Sequence, residues 1–371
     1  MMEKKCKWVR LGDYIEMRHE NNSSLKYGAE LIEGVNNSGE FQSTKAITTD
    51  INLKPYKVVR HGDIVYNPSR LNIGSLAYRT GEMCIVSHLY QVFHVKQKAV
   101  SVLSPEFLTL YLRRNEFYRY VDYDNFGSQR AEYNLKKLSE LQIPLPSIEE
   151  QQKVVNAWKA LREIKEQNEA IAAPLMQMCQ SYIQELKHEY EAVEIGEYIT
   201  RIDKRNSDNA IKIVKSVSVT KDFNDTNAKV DKNNLTSYKV VMPNQISFVQ
   251  TTGNEKCLCA AVNHFDYPIV VTSVNEVFTT NSDVLLPDFL HMWFRRTEFD
   301  RYARFNSWGS ARETFTWEDM CRAEIPLPPI EVQRAIVNIY NCANEAKKIA
   351  AEADRMSREV CPALIQHVIH N

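Results

Sequence analysis

Residues 143–151 read I-P-L-P-S-I-E-E-Q, and residues 325–333 read I-P-L-P-P-I-E-V-Q, so one stretch occurs twice at a fixed offset that carries Ile143 onto Ile325. At this offset the match extends without a gap from residues 107–158 onto residues 289–340, with about 20 of the 52 positions identical. An internal repeat determines the architecture before any local pattern does. The period is too long for a solenoid, so we predict two copies of one unit, each a domain followed by a connector.

Each copy of this stretch predicts a change from extended chain to helix. Two prolines separated by one residue do not fit a helix, so residues 143–146 are expected to be extended. Ser147 and Glu150 then have the spacing of a capping box, which starts a helix. In the second copy Pro329 replaces Ser147, and proline is well tolerated in a first helical turn. We therefore predict a long helix after each copy.

Apolar residues recur along both predicted helices at alternating steps of three and four, a spacing typical of a coiled-coil seam. A narrow apolar stripe is not stable alone, so the two helices are predicted to pack against each other, with Asn168 either fixing the register or simply tolerated. Pro174 and Pro362 predict a kink or restart in each helix. The predicted seam comprises Val154, Leu161, Ile164, Asn168, Ile171 and Leu175, facing Ile336, Ile339, Ala343, Ala346, Ala350 and Ala353.

Upstream of the first long helix, short segments rich in Val, Ile and Tyr alternate with turn residues, which predicts a β-rich domain. A single helix is predicted over residues 107–121, after the capping residue Ser104. The two copies are alike at their ends and differ in their centres, which suggests a common assembly with two specificities. The predicted fold class is α+β, with β-rich α/β domains at 1–146 and 191–328, a central helix at 147–190 and a C-terminal helix at 329–371.

The composition excludes several classes of protein. The net charge is −1, so there is no general basic character of the kind found in histone-like proteins, and any DNA binding must come from local patches. The eight cysteines include no C-x-x-C pair and are expected to be reduced. No apolar run is long enough for a membrane helix and no apolar signal core follows the N-terminus, so a cytoplasmic location without membrane association is expected.

Taken together, these residues resemble the specificity subunits of Type I restriction-modification systems. The resemblance depends on the repeated I-P-L-P stretch that opens a long helix, on the Gly-Ser-Gln-Arg and Gly-Ser-Ala-Arg sequences at 127–130 and 309–312, and on the strand-turn-strand pattern around residues 62–66. It implies that each globular domain is a target-recognition domain for one half of a split double-stranded DNA sequence. It also implies that the two long helices pair antiparallel as a spacer.

The same resemblance implies partners and a division of labour. Two methyltransferase subunits are expected to bind the chain and to supply both S-adenosylmethionine and the adenine-methylating site, and a restriction subunit with motor and nuclease activity is expected to join them. The chain itself is expected to hold no cofactor. A helix of roughly 40 residues is about 60 Å long, so two separated readers would contact two half-sites across an unread spacer. Because the two copies differ, the target is expected to be asymmetric.

Polar loops are the candidates for DNA contact, since amide, hydroxyl and guanidinium groups hydrogen-bond to base edges and phosphates. A solvated surface loop without a ligand is the alternative for each residue. Arg130 and Arg312 recur in both copies, which favours a phosphate or structural role over base reading. The predicted DNA-binding residues are Asn67, Ser69, Arg70, Asn72, Ser128 and Arg130 in the first copy, and Gln250, Thr251, Thr252, Asn254, Ser310 and Arg312 in the second.

No catalytic or metal site is predicted. Asn67-Pro68-Ser69-Arg70 lacks the second proline and the aromatic residue of the amino-methyltransferase motif, and no glycine-rich phosphate loop is present. Cys257, Cys259 and His264 have an unusual spacing for zinc, which favours buried thiols. A single-chain methyltransferase or nuclease is therefore disfavoured. The alternative to a DNA-specificity subunit is a non-catalytic scaffold that assembles partners without reading bases.

Overall fold

In the computed structural model, described over residues 6–43, 51–124, 132–226, 229–251, 257–307 and 313–370, the chain forms two folded units. Unit 1 contains the described residues of Met1–Asn168 and Ile349–Asn371, and unit 2 contains those of Glu169–Lys348. Each unit therefore takes one part of each long helix. The helical and strand content confirms the predicted α+β class.

Unit 1 contains a four-stranded antiparallel sheet of order β2-β9-β6-β7 and the pairs β1-β10, β3-β4 and β5-β8. Its strands are β1 (Lys7–Arg10), β2 (Ile15–Met17), β3 (Glu33–Val35), β4 (Phe41–Ser43), β5 (Lys57–Val59), β6 (Ile64–Tyr66), β7 (Leu76–Tyr78), β8 (Cys84–Val86), β9 (Gln91–Val95) and β10 (Gln142–Leu145). Its helices are α1 (Pro105–Leu112), α2 (Asn115–Asp124), α3 (Leu135–Glu140) and the first part of α4 (Ile148–Glu189).

Unit 2 repeats this plan, with a sheet of order β12-β19-β16-β17 and the pairs β11-β20, β13-β14 and β15-β18. Its strands are β11 (Ala192–Glu194), β12 (Ile199–Arg201), β13 (Lys215–Val217), β14 (Phe223–Asp225), β15 (Lys239–Val241), β16 (Ile246–Val249), β17 (Ala260–Val262), β18 (Ile269–Val271), β19 (Asn275–Thr280) and β20 (Glu324–Pro326). The helices that follow α4 are α5 (Pro287–Phe294), α6 (Thr297–Phe305), α7 (Trp317–Cys321) and α8 (Ile330–His370).

The single helix predicted over residues 107–121 is wrong, because the chain forms two helices there, α1 and α2. The side chain of Arg114 folds back over the ring of Tyr111, 4.0 Å from the ring centroid, and its Nε donates to the Tyr111 carbonyl. This contact satisfies a carbonyl at the end of α1, where the helical hydrogen-bond ladder stops. Unit 2 breaks at the same place, with Arg296 over the ring of Trp293.

The repeated I-P-L-P segment is extended in both copies, as predicted, and forms the last strand of each unit. In unit 1, Val9 of β1 lies opposite Ile143 of β10, and in unit 2, Val193 of β11 lies opposite Ile325 of β20. The pairing joins the first and last strands of each unit. A repeat of the same local contacts in both units explains why these two stretches resemble each other more than the centres do.

The glutamine that closes the repeated stretch is a buried connector in unit 1. Gln151 is fully buried on α4, and its Oε1 accepts a hydrogen bond of 2.9 Å from the backbone N–H of Ser104. Its Nε2 donates to the carbonyls of Val102 and Pro146 at 2.8 and 2.9 Å. One amide thus satisfies three backbone groups and fastens the start of α4 to the residues that lead into α1.

Gln333 makes the same three bonds in unit 2. Its Oε1 accepts from the N–H of Leu286, and its Nε2 donates to the carbonyls of Val284 and Pro328. Each of these partners is the repeat counterpart of the corresponding partner in unit 1. We call this arrangement, centred on Gln151 or Gln333, the glutamine clamp.

The two long helices pack together within each unit, and in unit 1 they run antiparallel. Near the start of α4, Val154 shares a hydrophobic cluster with Ile365 and Val368 of α8. Further along α4, the Nζ of Lys165 lies 3.0 Å from a carboxylate oxygen of Asp354. Advancing along α4 therefore means moving back along α8. In unit 2, the last turns of α4 and the first turns of α8 belong to one hydrophobic cluster.

Along part of α4, the buried residues lie one position further along the chain than the predicted seam residues. Ile164 and Ile171 are exposed, at 41% and 51%, whereas Ala172 and Cys179 are buried. The seam positions of α8 include alanines, which allow close approach, so small residues fit opposite them. Among the other predicted positions, Leu161, Asn168, Leu175 and Ile339 are half-buried, and the buried ones are Val154, Ile336, Ala343, Ala346, Ala350 and Ala353.

The seam asparagine fits the second of its two predicted roles, a tolerated polar residue, and neither helix restarts at its proline. The amide of Asn168 donates to the carbonyl of Ile164 in its own helix, so the cross-helix polar contact in this region is that of Lys165 with Asp354. Although burial opposes it, the hydrogen bond from Lys165 lowers the pKa of Asp354. Both α4 and α8 continue through their internal prolines as single helices.

The glutamine clamp predicts a large effect of a single substitution. Gln151→Ala leaves one N–H and two carbonyls without their partner in a buried place, and we expect it to destabilise unit 1 by about 3 kcal/mol. Urea denaturation followed by circular dichroism measures this loss. Gln152→Ala is the matched control, because Gln152 is exposed and its side chain bonds, among the described residues, to Asn156 alone, and it should change stability by less than about 0.5 kcal/mol. Equal effects of both substitutions would contradict the role of the clamp.

Candidate nucleic-acid interface

The first candidate loop, loop A (residues 67–75), connects β6 to β7 and is held in one shape by its own backbone. The N–H of Asn67 donates to the carbonyl of Ser75, and the N–H of Ser75 donates to the carbonyl of Arg70. Gly74 has φ +100°, and a Cβ there would lie 2.3 Å from the carbonyl oxygen of Asn37. Only glycine fits this position, so loop A is rigidly placed.

Two of the four polar side chains predicted in loop A have partners within the protein. The Oδ1 of Asn67 accepts from the N–H of Ser69, and the Nδ2 of Asn72 donates to Asp122 on α2 at 2.8 Å. Ser69 and Arg70 are exposed. Among the described residues no hydrogen bond or ion pair holds the guanidinium of Arg70, which leaves it available to a ligand.

The second candidate loop, loop B (residues 250–259), follows β16 in the corresponding place, and residues 252–256 lie outside the described part. The Nε2 of Gln250 donates to the buried carboxylate of Glu276 at 2.9 Å. Arg201 and Lys239 hold the same carboxylate at 2.6 and 3.2 Å. The Gln250 amide is therefore fixed by an internal network, whereas Thr251 is exposed and forms an antiparallel bridge with Thr314.

One backbone hydrogen bond places the two loops in equivalent positions. In unit 1 the N–H of Tyr133 donates to the carbonyl of Pro68 at 3.1 Å, and in unit 2 the N–H of Phe315 donates to the carbonyl of Gln250 at 2.8 Å. The repeat offset carries the donor of the first bond onto the donor of the second, and likewise the acceptor. The two units thus present different side chains from the same place.

Half of the predicted DNA-binding residues lie outside the described residues, and the structure says nothing of them. They are Ser128, Arg130, Thr252, Asn254, Ser310 and Arg312. The described chain resumes after each Gly-Ser-x-Arg sequence close to Tyr133 or Phe315, the residues that bond to loops A and B. The described part of the interface therefore comprises loop A, the start and end of loop B, and the helices next to them.

Sequence reasoning missed the acidic side chains that anchor this region. Asp63 is fully buried, accepts from the N–H of Arg60 and forms an ion pair with Arg18 at 2.7 Å. Glu276 has the corresponding role in unit 2, although it lies on β19 whereas Asp63 directly precedes β6. A buried carboxylate requires such partners. No spacing in the sequence links these acids to their cations, so no local signal could have indicated the pairs.

Cys257 and Cys259, at the end of loop B, are free thiols. Burial, and next the neighbouring Cys257, raises the pKa of Cys259 to about 11, so its thiol is protonated at neutral pH. The ring of His264 bonds to Asp288 at 2.6 Å. Across the described residues there is no group of three His, Cys, Asp or Glu side chains that could hold a metal ion.

Comparison with known protein families finds a similarity in the first part of the chain. Residues 4–173 match the family described as Type I restriction modification DNA specificity domain. This part of the chain is therefore similar to such a domain. The matched residues contain loop A and the first glutamine clamp. No curated protein matched the chain.

Solved structures align with almost the whole length of the chain. The S subunit of a Type I restriction-modification system from M. genitalium has a TM-score of 0.66 at 12% identity, covering 99% of this chain and 97% of that one. The HsdS subunit from Thermoanaerobacter tengcongensis has a TM-score of 0.43 at 17% identity, covering 100% and 97%. The M. genitalium structure shows that both units have the same fold class as that subunit.

A third solved chain comes from a study of complex assembly and conformational transition of the type I R-M system. It has a TM-score of 0.43 at 15% identity and covers 100% of this chain and 99% of that one. Within the described residues, no helix of the chain is long and apolar enough to cross a membrane.

The free guanidinium of loop A predicts a measurable contribution to DNA affinity. Arg70→Ala, tested in the complex with methyltransferase subunits, should weaken binding by about tenfold and reduce the slope of log affinity against log salt by about 1. Lys98→Ala is the charge-matched control. Lys98 is exposed beyond Val95, whereas loop A adjoins the opposite end of β9, where Gln91 pairs with Tyr66. Equal losses in both variants would show that Arg70 acts only through net charge.

Proposed function

We propose that the chain is the DNA-recognition subunit of a Type I restriction-modification complex, in which each unit reads one half of a bipartite, asymmetric DNA target. The two long helices, which have parts in both units, set the unread spacer between the half-sites. Methylation is performed by partner subunits that bind S-adenosylmethionine, and cleavage by a restriction subunit. This work on genomic DNA takes place in the cytoplasm.

The observation that carries this proposal is the equivalence of loops A and B. The bond from Tyr133 to Pro68 and the bond from Phe315 to Gln250 fix both loops at the same place in the same fold. Their side chains nevertheless differ, with Arg70 free in loop A and Gln250 bound to Glu276 in loop B. An asymmetric split target requires two recognition domains that share one fold and present different side chains to the DNA.

A stripe on α4 in unit 2 supports the docking of methyltransferase subunits on the long helices. Ile171, Met178 and Tyr182 are 51%, 43% and 42% exposed, and their spacing of seven and four residues places them on one face. This face lies beside the buried positions Ala172 and Cys179. Exposed apolar residues that repeat along a helix are suited to packing against another helix.

The proposed function is tested by co-expressing the chain with its methyltransferase subunits and sequencing the methylome of the host. We expect adenine methylation at a split target with two unlike halves. Replacing residues 6–124 by the corresponding part of another specificity subunit should change one half of the target and preserve the other. A contiguous palindromic motif would contradict the bipartite, asymmetric target, and no motif while the complex still assembles would favour the scaffold alternative.

The docking stripe is tested by Ile171→Lys. A charge on this face should prevent burial against a partner helix, so we expect the methyltransferase subunits to be lost on size-exclusion chromatography while the melting temperature of the isolated chain stays unchanged. Ala173→Lys is the control, since Ala173 is also exposed on α4 and lies on a different face. Normal assembly of the Ile171→Lys variant would exclude the stripe as the docking surface.

A further inference from the structure

Two aromatic side chains have an exposure that the fold does not explain. Tyr123 and Phe305 are 82% and 84% exposed, which makes them the most exposed large hydrophobic residues in the described part of the chain. Tyr123 lies in the last turn of α2, and Phe305 is the last residue of α6. An aromatic ring left in water gains nothing from burial in the free protein, so its role is to be sought in a complex.

The two rings occupy equivalent positions in the repeat, because the offset that carries Ile143 onto Ile325 also carries Tyr123 onto Phe305. Most other aromatic residues of these helices are less exposed: Phe117 and Phe299 are buried, Tyr118 and Tyr302 pack against the hydrophobic clusters, and Tyr120 is 44% exposed. Exposure at the corresponding position of both units indicates a contact that both units make. Because loops A and B have different side chains, this shared contact cannot depend on the bases that either loop recognises.

In unit 1, hydrogen bonds place the end of α2 beside loop A. Asp122, the residue before Tyr123, accepts the hydrogen bond from Asn72 of loop A. The hydroxyl of Tyr118, one turn earlier on α2, lies near Gly74 at the other end of the loop. Arg70, whose guanidinium has no partner among the described residues, belongs to the same loop. Tyr123 is thus part of the surface on which loop A lies.

Unit 2 makes an analogous connection with different atoms. The N–H of Leu258, near the end of loop B, donates to Asp300 of α6 at 3.0 Å. Arg301 and Arg304 are exposed on the same helix as Phe305, and no ion pair or hydrogen bond engages their guanidinium groups among the described residues. The ring of Phe305 therefore lies on the same helix as these two guanidinium groups. This combination fits nucleic acid, in which phosphates can bind the guanidinium groups and bases can stack on the ring.

We propose that Tyr123 and Phe305 insert against the base stack of the DNA at the two half-sites, as contacts that do not depend on the sequence read. Apolar side chains wedge between base steps in many DNA complexes, and stacking on an aromatic ring is tolerant of sequence because every base has a π-face. The inference rests on the proposed function, since it requires that both units bind DNA. The loops select the bases, and the rings add affinity at both half-sites alike.

The experiment uses the complex with co-expressed methyltransferase subunits and a duplex that carries the methylated target. Tyr123→Ala and Phe305→Ala should each weaken binding by about tenfold, which lies within the range for the loss of one aromatic stacking contact. Because no charge is removed, the slope of log affinity against log salt should be unchanged, in contrast to Arg70→Ala. Tyr123→Phe, which keeps the ring, should bind within about twofold of the original protein.

Trp8→Ala is the matched control for a lost exposed aromatic residue, since Trp8 is 59% exposed on β1, in a different sheet from β6 and β7. It should leave affinity unchanged. A 2-aminopurine base moved stepwise through each half-site gives a second readout. Its fluorescence should be quenched by the complex at one position in each half, and Tyr123→Ala or Phe305→Ala should relieve the quenching in the corresponding half.

Unchanged affinity in both alanine variants would overturn the inference, and so would loss of the methyltransferase subunits from the variant complexes, which would make the rings protein-docking residues. A weakened complex with a reduced salt slope would also overturn it, because the loss would then concern phosphate contacts. If the original complex shows no preference for any duplex, the proposed function itself fails, and this result is obtained before any variant is tested.

Discussion

The arrangement of each unit depends on one buried amide. Gln151 and Gln333 each receive one backbone N–H and donate to two backbone carbonyls, and in this way they join the first turn of a long helix to the segment before α1 or α5. The glutamine is the only side chain of the shared stretch I-P-L-P-x-I-E-x-Q shown to make these three bonds. A carboxylate could not donate, and an aliphatic side chain could neither donate nor accept.

The glutamine clamp lies between the part of each unit that is alike in both copies and the part that differs between them. On one side of it, the first and last strands pair and the long helices begin, with the same register in both copies. On the other side, the central sheet presents loops A and B, whose side chains differ. A fixed frame with exchangeable loops allows specificity to change without loss of the fold. The buried Asp63 and Glu276 hold the two sheets in different ways, which shows that the centres have diverged below the surface as well.

Much of the fold could be predicted from the sequence, because the repeat, the prolines and the helical period are local signals. The side of α4 that packs could not. The period favoured Ile164 and Ile171 because they are large and apolar, whereas the interface takes Ala172 and Cys179 because the partner helix approaches closely. The break between α1 and α2 was also missed, since it depends on Arg114 stacking over Tyr111. How closely two helices approach depends on the size of the side chains on both of them. The sequence pattern of one helix describes the side chains of that helix alone.

The candidate site was less predictable than the fold. Composition and turn residues indicated loops A and B, but whether a polar side chain is free depends on partners far away in the chain. Asn72 is engaged by Asp122, and Gln250 by Glu276, while Arg70 has no described partner. The exposed rings of Tyr123 and Phe305 had no sequence signal, because residues of the same types, Phe117 and Phe299 among them, are buried in the same helices.

The division of the helices between the units bears on the order in which the chain folds during synthesis. Unit 2 is one continuous segment, Glu169–Lys348, whereas the core of unit 1 includes Ile365, Val368 and Ile369 from the far end of α8. Domains usually fold in the order in which they leave the ribosome. Here the N-terminal domain waits for the last helical turns before its core is complete, so the second unit is the first that can finish. A ribosome that stops early would release a chain with a finished second unit and an incomplete first one.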